Sequence, residues 1–433
     1  PCLFYIGHSC MPFITLDTAE KILQAAPEYC LGFYTAEDEQ VELIPRFFEY
    51  YFKPLANMCL RYGNKRCMTK NKGLWWITSP ARPPVFDALF REGRNRITMA
   101  ATEDSNSRTP EMNLMGRGGL WQAGLIQQND VSIHSDLFSF NRFHQWEYPR
   151  VGHPYLRLLV AHATLGMTQV NSRIREYTST RETADIETLG KESTGIFFKL
   201  LGKGLVFSPK PEDALGYSTV GLVMHPPPGD WLEDAHNGHS PEKWVEDEQL
   251  HQAVIPHNGS LWGMTNTPDH ALQKILFNKQ RQFGYQVPPT PYGLVAIVPA
   301  ETDLSQVKGV KSWWHTDGVY AWKDGGSRLT GMEAATRMQA DFAEAAQRLP
   351  FQQHGEPVFL NSLRVAQDHY RLFLIDPGWL DPADHEVTIE IHLEGEFTAQ
   401  DTLNHRELSI RENRFTVDVP AGLFTIVDVR RIN

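Results

Sequence analysis

Residues 65–104 read KRCMTKNKGLWWITSPARPPVFDALFREGRNRITMAATED, and the parsing of this run decides the fold. KRCMTKN (65–71) and RITMAATED (96–104) have the short, partly apolar make-up of strands and end in polar groups, while VFDALFREG (85–93) between them is helix-compatible. Strand, helix and strand at this spacing form a parallel crossover unit. The same unit repeats on either side. Upstream stand CLFYIG (2–7), the helical TAEKILQAA (18–26) with Ile22, Leu23 and Ala26 on one face, and LGFYTAED (31–38). A long helix over 42–63, or a pair broken at Pro54, leads into the quoted run. Downstream come a helix over 119–127, DVSIHSD (130–136), a helix over 153–166, MTQVN (167–171), a helix over 187–204, LVFSP (205–209) and TVGLVM (219–224).

Eight strands with intervening helices predict an α/β chain whose first part is a (β/α)8 TIM barrel. The gap between the last two strands is too short for a full helix, which leaves an open sheet as the alternative. A Pro-, His-, Asp-, Glu- and Trp-rich stretch at 225–270 and a helix at 268–284 complete this part, and VPPTPYG (287–293) marks a switch. The boundaries read as a barrel over 1–285 and a β-rich C-terminal domain over 286–433. That second part holds a single helix (331–349) and short strands with turn signals such as Asp376-Pro377-Gly378, the pattern of a sandwich.

At 433 residues the chain is too long for one compact core. With 41% hydrophobic and 21% charged residues, and no apolar run of the ~18 residues a membrane span needs, it reads as a folded protein that does not cross a membrane. A net charge of −11 argues against nucleic acid as a partner, because acidic groups repel the phosphate backbone. Cys2, Cys10, Cys30, Cys59 and Cys67 lack Cys-x-x-Cys spacing and are odd in number, so they read as buried free thiols. The chain opens on Pro1 and runs directly into a strand, as expected of a portion of something longer, and no signal peptide is visible.

In such a barrel the reactive groups stand where strands end, since the following loops converge on one mouth. Carboxylates dominate those positions. Glycoside hydrolysis requires two of them, one protonated to donate to the leaving oxygen and one ionised to activate water or attack carbon. Glu103, led out by the apolar ITMAAT, is the candidate acid; Asp136 and Glu37 are candidates for base or nucleophile. Sugar rings also want flat apolar platforms, for which Trp75, Trp76, Trp121 and Trp146 are the candidates, with His8, Arg173 and His225 as polar partners. The competing interpretation is ordinary: strand ends carry solvated polar residues, and some tryptophans belong to the core. His8, His134, Asp136 and His225 also admit a metal-dependent hydrolase, but GHSC offers one histidine where His-x-His is usual, and no HExxH occurs. No cofactor is called for. GxGxxG after the first strand, GxxxxGK[ST] and GxSxG are all absent, and MGRGG (115–119) is at most a weak anion motif at a helix start.

The order of parts, with YGLVAIVPA (292–300), YRLFLIDPGWLDP (370–382) and VDVPAGLF (417–424), resembles barrel-type glycoside hydrolases with a C-terminal β-sandwich. In plan it is similar to the endo-galactosidases of glycoside hydrolase family 98 and to carrageenase-type enzymes on algal galactans. The resemblance implies an endo-acting, secreted or periplasmic enzyme on a polysaccharide, sulfated or acidic galactan included. It also implies that a glutamate on the fourth strand, here Glu103, is the acid, and leaves the base open between Asp136, Glu37 and the acids after the seventh strand. A non-catalytic carbohydrate-binding module is the alternative from another class.

Overall fold

The computed structural model describes residues 1–40, 42–71, 75–103, 110–133, 154–172, 191–226, 255–257, 260–262, 287–317, 320–329, 331–378 and 382–432. Six strands, β1 (Cys2–His8), β3 (Cys30–Ala36), β4 (Arg66–Lys70), β5 (Thr98–Glu103), β6 (Gln128–Ile133) and β7 (Met167–Ser172), lie parallel in chain order, and the two-residue β2 (Met11–Pro12) is antiparallel to β1 at the edge. Each strand follows its predecessor without reversal of order, so the sheet winds in one direction, unlike a doubly wound sheet. One face is covered by helices: α1 (Leu16–Ala25), α2 (Lys53–Arg61), α3 (Pro83–Phe90), α4 (Pro110–Gln122), α5 (Pro154–Thr164) and α6 (Ile196–Gly202) share a core with Ile6, Phe33, Cys67 and Ala100. The other face carries a small cluster of Met68, Met99 and Ala101, with Leu3 and Tyr34 packed against it. The sheet curls toward that second face. Arg66 on β4 and Gln169 on β7 approach to 3.5 Å (Nη1 to Oε1), whereas three strand spacings on a flat sheet come to about 14 Å.

Two of the expected barrel strands behave differently. LVFSP (205–209) forms no strand; Pro209 and Pro211 lack the N–H groups that a ladder needs. TVGLVM does supply β8 (Val220–Met224), but in another sheet, parallel to both β11 (Ile297–Pro299) and β12 (Ser312–Thr316), with β13 (Ala321–Lys323) antiparallel on β12. That sheet joins segments from both sides of the boundary drawn at 285/286. Closure of eight strands into a barrel is therefore not seen among the described residues, which form a curled six-stranded parallel half-barrel. A short hairpin, β9 (Ile255–His257) with β10 (Ser260–Trp262), lies in the stretch between.

Two local features follow from sequence. The segment 44–61 stays helical through Pro54 because a π-helical turn at Phe48–Phe52 precedes α2 and places Pro54 at the helix start, where a missing N–H is tolerated. The MGRGG glycines lie inside α4, away from its start, and permit close approach: a Cβ on Gly119 would stand 2.1 Å from the Ile297 carbonyl oxygen, and one on Gly116 2.8 Å from the Trp76 backbone.

The C-terminal part contains α7 (Gly331–Ala346) and two antiparallel sheets. One has the order β14 (Phe351–Gly355), β17 (His385–Ile391), β20 (Arg414–Val419); the other β15 (Phe359–Ala366), β16 (His369–Ile375), β21 (Phe424–Arg431), β18 (Phe397–Asp401), β19 (Arg406–Leu408). Apolar residues of both sheets form one cluster, including Leu372, Leu374, Val387, Ile389, Val417 and Val427. The opposite face of the larger sheet, with Phe359, Leu363, Phe373, Ile375, Phe424 and Ile426, joins the helical core of the first part. This double burial is why β16 and β21 read as near-continuous apolar runs. All five cysteines are free; Cys2 is exposed and the other four are buried.

Candidate functional site

The parallel strands end level with one another: His8 is in register with Ala36, Ala36 with Lys70, and Lys70 with Ala101. At this carboxyl edge His8 Nε2 lies 3.6 Å from Glu37 Oε2, with 39% and 29% of the two side chains exposed. Ser9 Oγ is 2.8 Å from His8 Nδ1. Three non-glycine residues here adopt left-handed backbone: Ser9 (φ 53°), Cys10 (φ 60°) and Glu37 (φ 55°). Such conformations are costly for side-chain-bearing residues and persist where surrounding bonds enforce them.

The enforcing bonds centre on Asp38, which is fully buried. Its carboxylate accepts from the Cys10 N–H (3.0 Å), from Thr69 Oγ1 (3.0 Å) and from Thr35 Oγ1. Its own N–H donates to Asn71 Oδ1 (2.8 Å), whose amide nitrogen donates to Thr69 Oγ1 (2.8 Å). The Glu37 N–H donates to the Lys70 carbonyl (2.7 Å). The loop bearing Glu37 is thus tied to β1 and β4 at once. Burial is the largest influence on Asp38 and pushes its pKa up from 3.8 to about 7, against the three hydrogen bonds and with some help from the Glu37 charge. The network extends to β5 and α4, where Asn113 donates to Thr102 Oγ1 (2.7 Å) and to the Asn71 carbonyl (3.1 Å). Lys70 and Glu39 are also buried at this edge.

Of the residues singled out from sequence, the structure brings His8 and Glu37 together. Glu103 is the last residue of β5, paired through the backbone with Ser132 on β6; its side chain, together with Asp136, Trp146, Arg173 and His134, lies outside the described residues. Trp75, Trp76 and Trp121 are buried, which corrects their reading as sugar platforms. Their indoles serve the core instead: Trp75 Nε1 donates to the Asp38 carbonyl (2.8 Å), Trp76 Nε1 to the Ala101 carbonyl (2.8 Å), and Trp121 packs so tightly on Gly166 that a Cβ there would be 2.2 Å from its ring nitrogen. His225 belongs to the other parallel sheet. It follows β8, 3.0 Å from His315 Nδ1, beside Trp322, which Arg328 overlies at 4.6 Å. Burial, followed by the neighbouring His315, lowers the His225 pKa. Among the described residues no three His, Cys, Asp or Glu side chains group to hold a metal. The sequence reading gave no special role to Thr35, Thr69 and Asn113, whose hydroxyl and amide groups are recognisable only once β3, β4 and α4 are adjacent.

Residues 2–312 match the lambda-carrageenase middle domain, and residues 359–430 the lambda-carrageenase C-terminal domain. Lambda-carrageenases from Pseudoalteromonas carrageenovora and from a Pseudoalteromonas sp. are each 24% identical over 454 aligned residues, covering 98% of this chain and 46% of the relative. The chain thus spans about half the length of the curated relatives it matches. Among solved structures, the catalytic module of a family 98 glycoside hydrolase from Streptococcus pneumoniae TIGR4 aligns over 99% of this chain and 84% of that one, at 10% identity and a TM-score of 0.43, too loose a likeness to build on. The middle-domain match alone takes in most of the chain and the whole curled sheet with its His8–Glu37 edge; the chain belongs to the lambda-carrageenase family.

Proposed function

We propose that this chain is the hydrolytic portion of an endo-acting glycosidase that works outside the cytoplasm on a sulfated galactan of the carrageenan type. The carrying observation is a carboxylate–imidazole pair at the carboxyl edge of a parallel sheet, held by a buried network, within the span shared with lambda-carrageenases. On this reading the curled sheet is part of a closed (β/α)8 barrel, and the two C-terminal sheets form a sandwich.

Glu103 is assigned as the acid that protonates the glycosidic oxygen. Glu37 is the ionised partner that attacks the anomeric carbon or activates water, oriented by His8. Asp136 is the alternative partner carboxylate, and Trp146 and Arg173 are substrate contacts. Arg173 would serve the sulfate groups, whose oxygens match a guanidinium fork. His225, in a separate sheet, is left out of the reaction.

The test is release of reducing ends from neutral, uronic and sulfated polysaccharides by wild type, Glu37→Gln and Glu103→Gln, with and without EDTA. Each variant is expected to stay folded and to lose about 10²- to 10⁴-fold in kcat on a sulfated galactan, with EDTA indifferent. Full activity in Glu37→Gln would hand its role to Asp136. Sensitivity to EDTA would support metal-assisted hydrolysis, and polysaccharide binding without cleavage a non-catalytic module.

A further inference from the structure

Trp75, Trp76 and Trp121, expected to meet sugar, are core residues, yet an aromatic surface does adjoin the His8–Glu37 pair. Tyr5 and Tyr34 are direct partners across β1 and β3, their rings stacked at 4.7 Å and 19°. Phe13, drawn to the sheet edge by its N–H bond to the Ile6 carbonyl (2.8 Å), meets Tyr5 edge-on at 5.4 Å, and His8 does so at 6.5 Å. Tyr34 packs on the Met68–Met99–Ala101 cluster, so the group lies on the concave face, opposite the helices.

Two of these rings reach solvent: Tyr5 is 40% and Phe13 59% exposed. Contiguous exposed rings on a folded chain mark a contact surface. Their position selects the ligand. A pyranose offers one face of C–H groups to an aromatic ring and hydroxyls at its rim, and here the Tyr5 ring adjoins the His8 imidazole, itself paired with the Glu37 carboxylate, groups that can take hydroxyls. The acyl chains of a lipid surface would gain nothing from that polar border. We infer that Phe13, held edge-on by Tyr5, forms a stacking platform for one pyranose ring of the polysaccharide, next to the groups that cleave the bond. This rests on the hydrolase reading above.

The experiment compares steady-state hydrolysis of the sulfated galactan, and melting temperature, for wild type, Phe13→Ala, Tyr5→Ala and Tyr5→Phe. Both alanine variants are expected to raise KM about three- to tenfold with kcat little changed, as for a contact made equally in ground and transition states. Tyr5→Phe, which keeps the ring, stays near wild type. If Tyr5→Ala melts early, Phe13→Ala decides the matter, because its ring is mostly in solvent. Cleavage by wild type with unchanged KM in Phe13→Ala removes the platform and leaves the hydrolase reading intact; no cleavage of any polysaccharide by wild type defeats the hydrolase reading and the platform with it.

Discussion

Three acids stand in a row at 37–39, and one backbone torsion separates their fates. The left-handed turn at Glu37 leaves its carboxylate beside His8, while Asp38 and Glu39 go into the interior. Because burial raises the Asp38 pKa to about 7 from 3.8, the native state holds a proton that the unfolded chain has released. The associated stability is fully present below about pH 4 and is lost as pH rises through about 7. Asp38→Asn, which carries no such proton, should therefore gain on wild type as pH goes from 4.5 to 7.5; urea titrations of both proteins at the two pH values check this, and parallel curves would refute it. The sequence placed Glu37 and Asp38 at the end of a strand and singled out Glu37. The choice of Glu37 could not be argued from pattern, since ordinary alternation fails where a non-glycine residue turns left-handed, and the partners that force the turn come from strands about 30 residues apart, Thr69 and Asn71 against Asp38.

At the scale of elements, the strands read best were those whose partner is the next strand along the chain: β1, β3, β4, β5, β6 and β7 all overlap the runs picked out by pattern, β4 and β5 lying wholly within them. LVFSP misled because apolar character reports burial and not pairing, and β8 was found but misplaced because its partners lie some 75 to 90 residues downstream. The glycines of α4 carry a similar lesson. Helix propensity alone says that Gly119→Ala should stabilise by about 1 kcal/mol. Contact with the Ile297 carbonyl reverses the sign, since the new Cβ would have to push β11 away. A net destabilisation of about 1–3 kcal/mol is expected by chemical denaturation; Gly124→Ala is a poor control because its φ is positive (69°), whereas Gly202→Ala, which meets nothing within 4 Å, should be neutral or better.

At the scale of the whole molecule, the five-stranded sheet of β15, β16, β21, β18 and β19 is a wall with a core on either side. Polar ties cross at the same place. Arg157 of α5, fully buried, donates to the Asp376 carbonyl (2.6 Å), the Gly378 carbonyl (2.7 Å) and Asp376 Oδ2 (3.3 Å), while Asp376 also accepts from the Gly422 N–H (2.6 Å). Burial lowers the Arg157 pKa to about 10, with the Asp376 charge opposing, so it remains a cation at neutral pH. Asp376→Ala strands that cation and should destabilise by about 3–5 kcal/mol. The double variant Arg157→Met with Asp376→Ala should recover part of the loss, and calorimetry should show one transition for both parts of the chain, because the core of the first part is not complete without the face of the five-stranded sheet. The Asp376-Pro377-Gly378 signal was legible in sequence as a turn, but its role as a bolt was not, since Arg157 lies 219 residues away. A wall shared by two rooms also restricts what can be exchanged. A chimera that keeps residues 1–358 and takes its C-terminal part from elsewhere inherits half a core, so recombination between distant relatives should succeed only when the residues facing inward at 359, 363, 373, 375, 424 and 426 travel with the part they were fitted to.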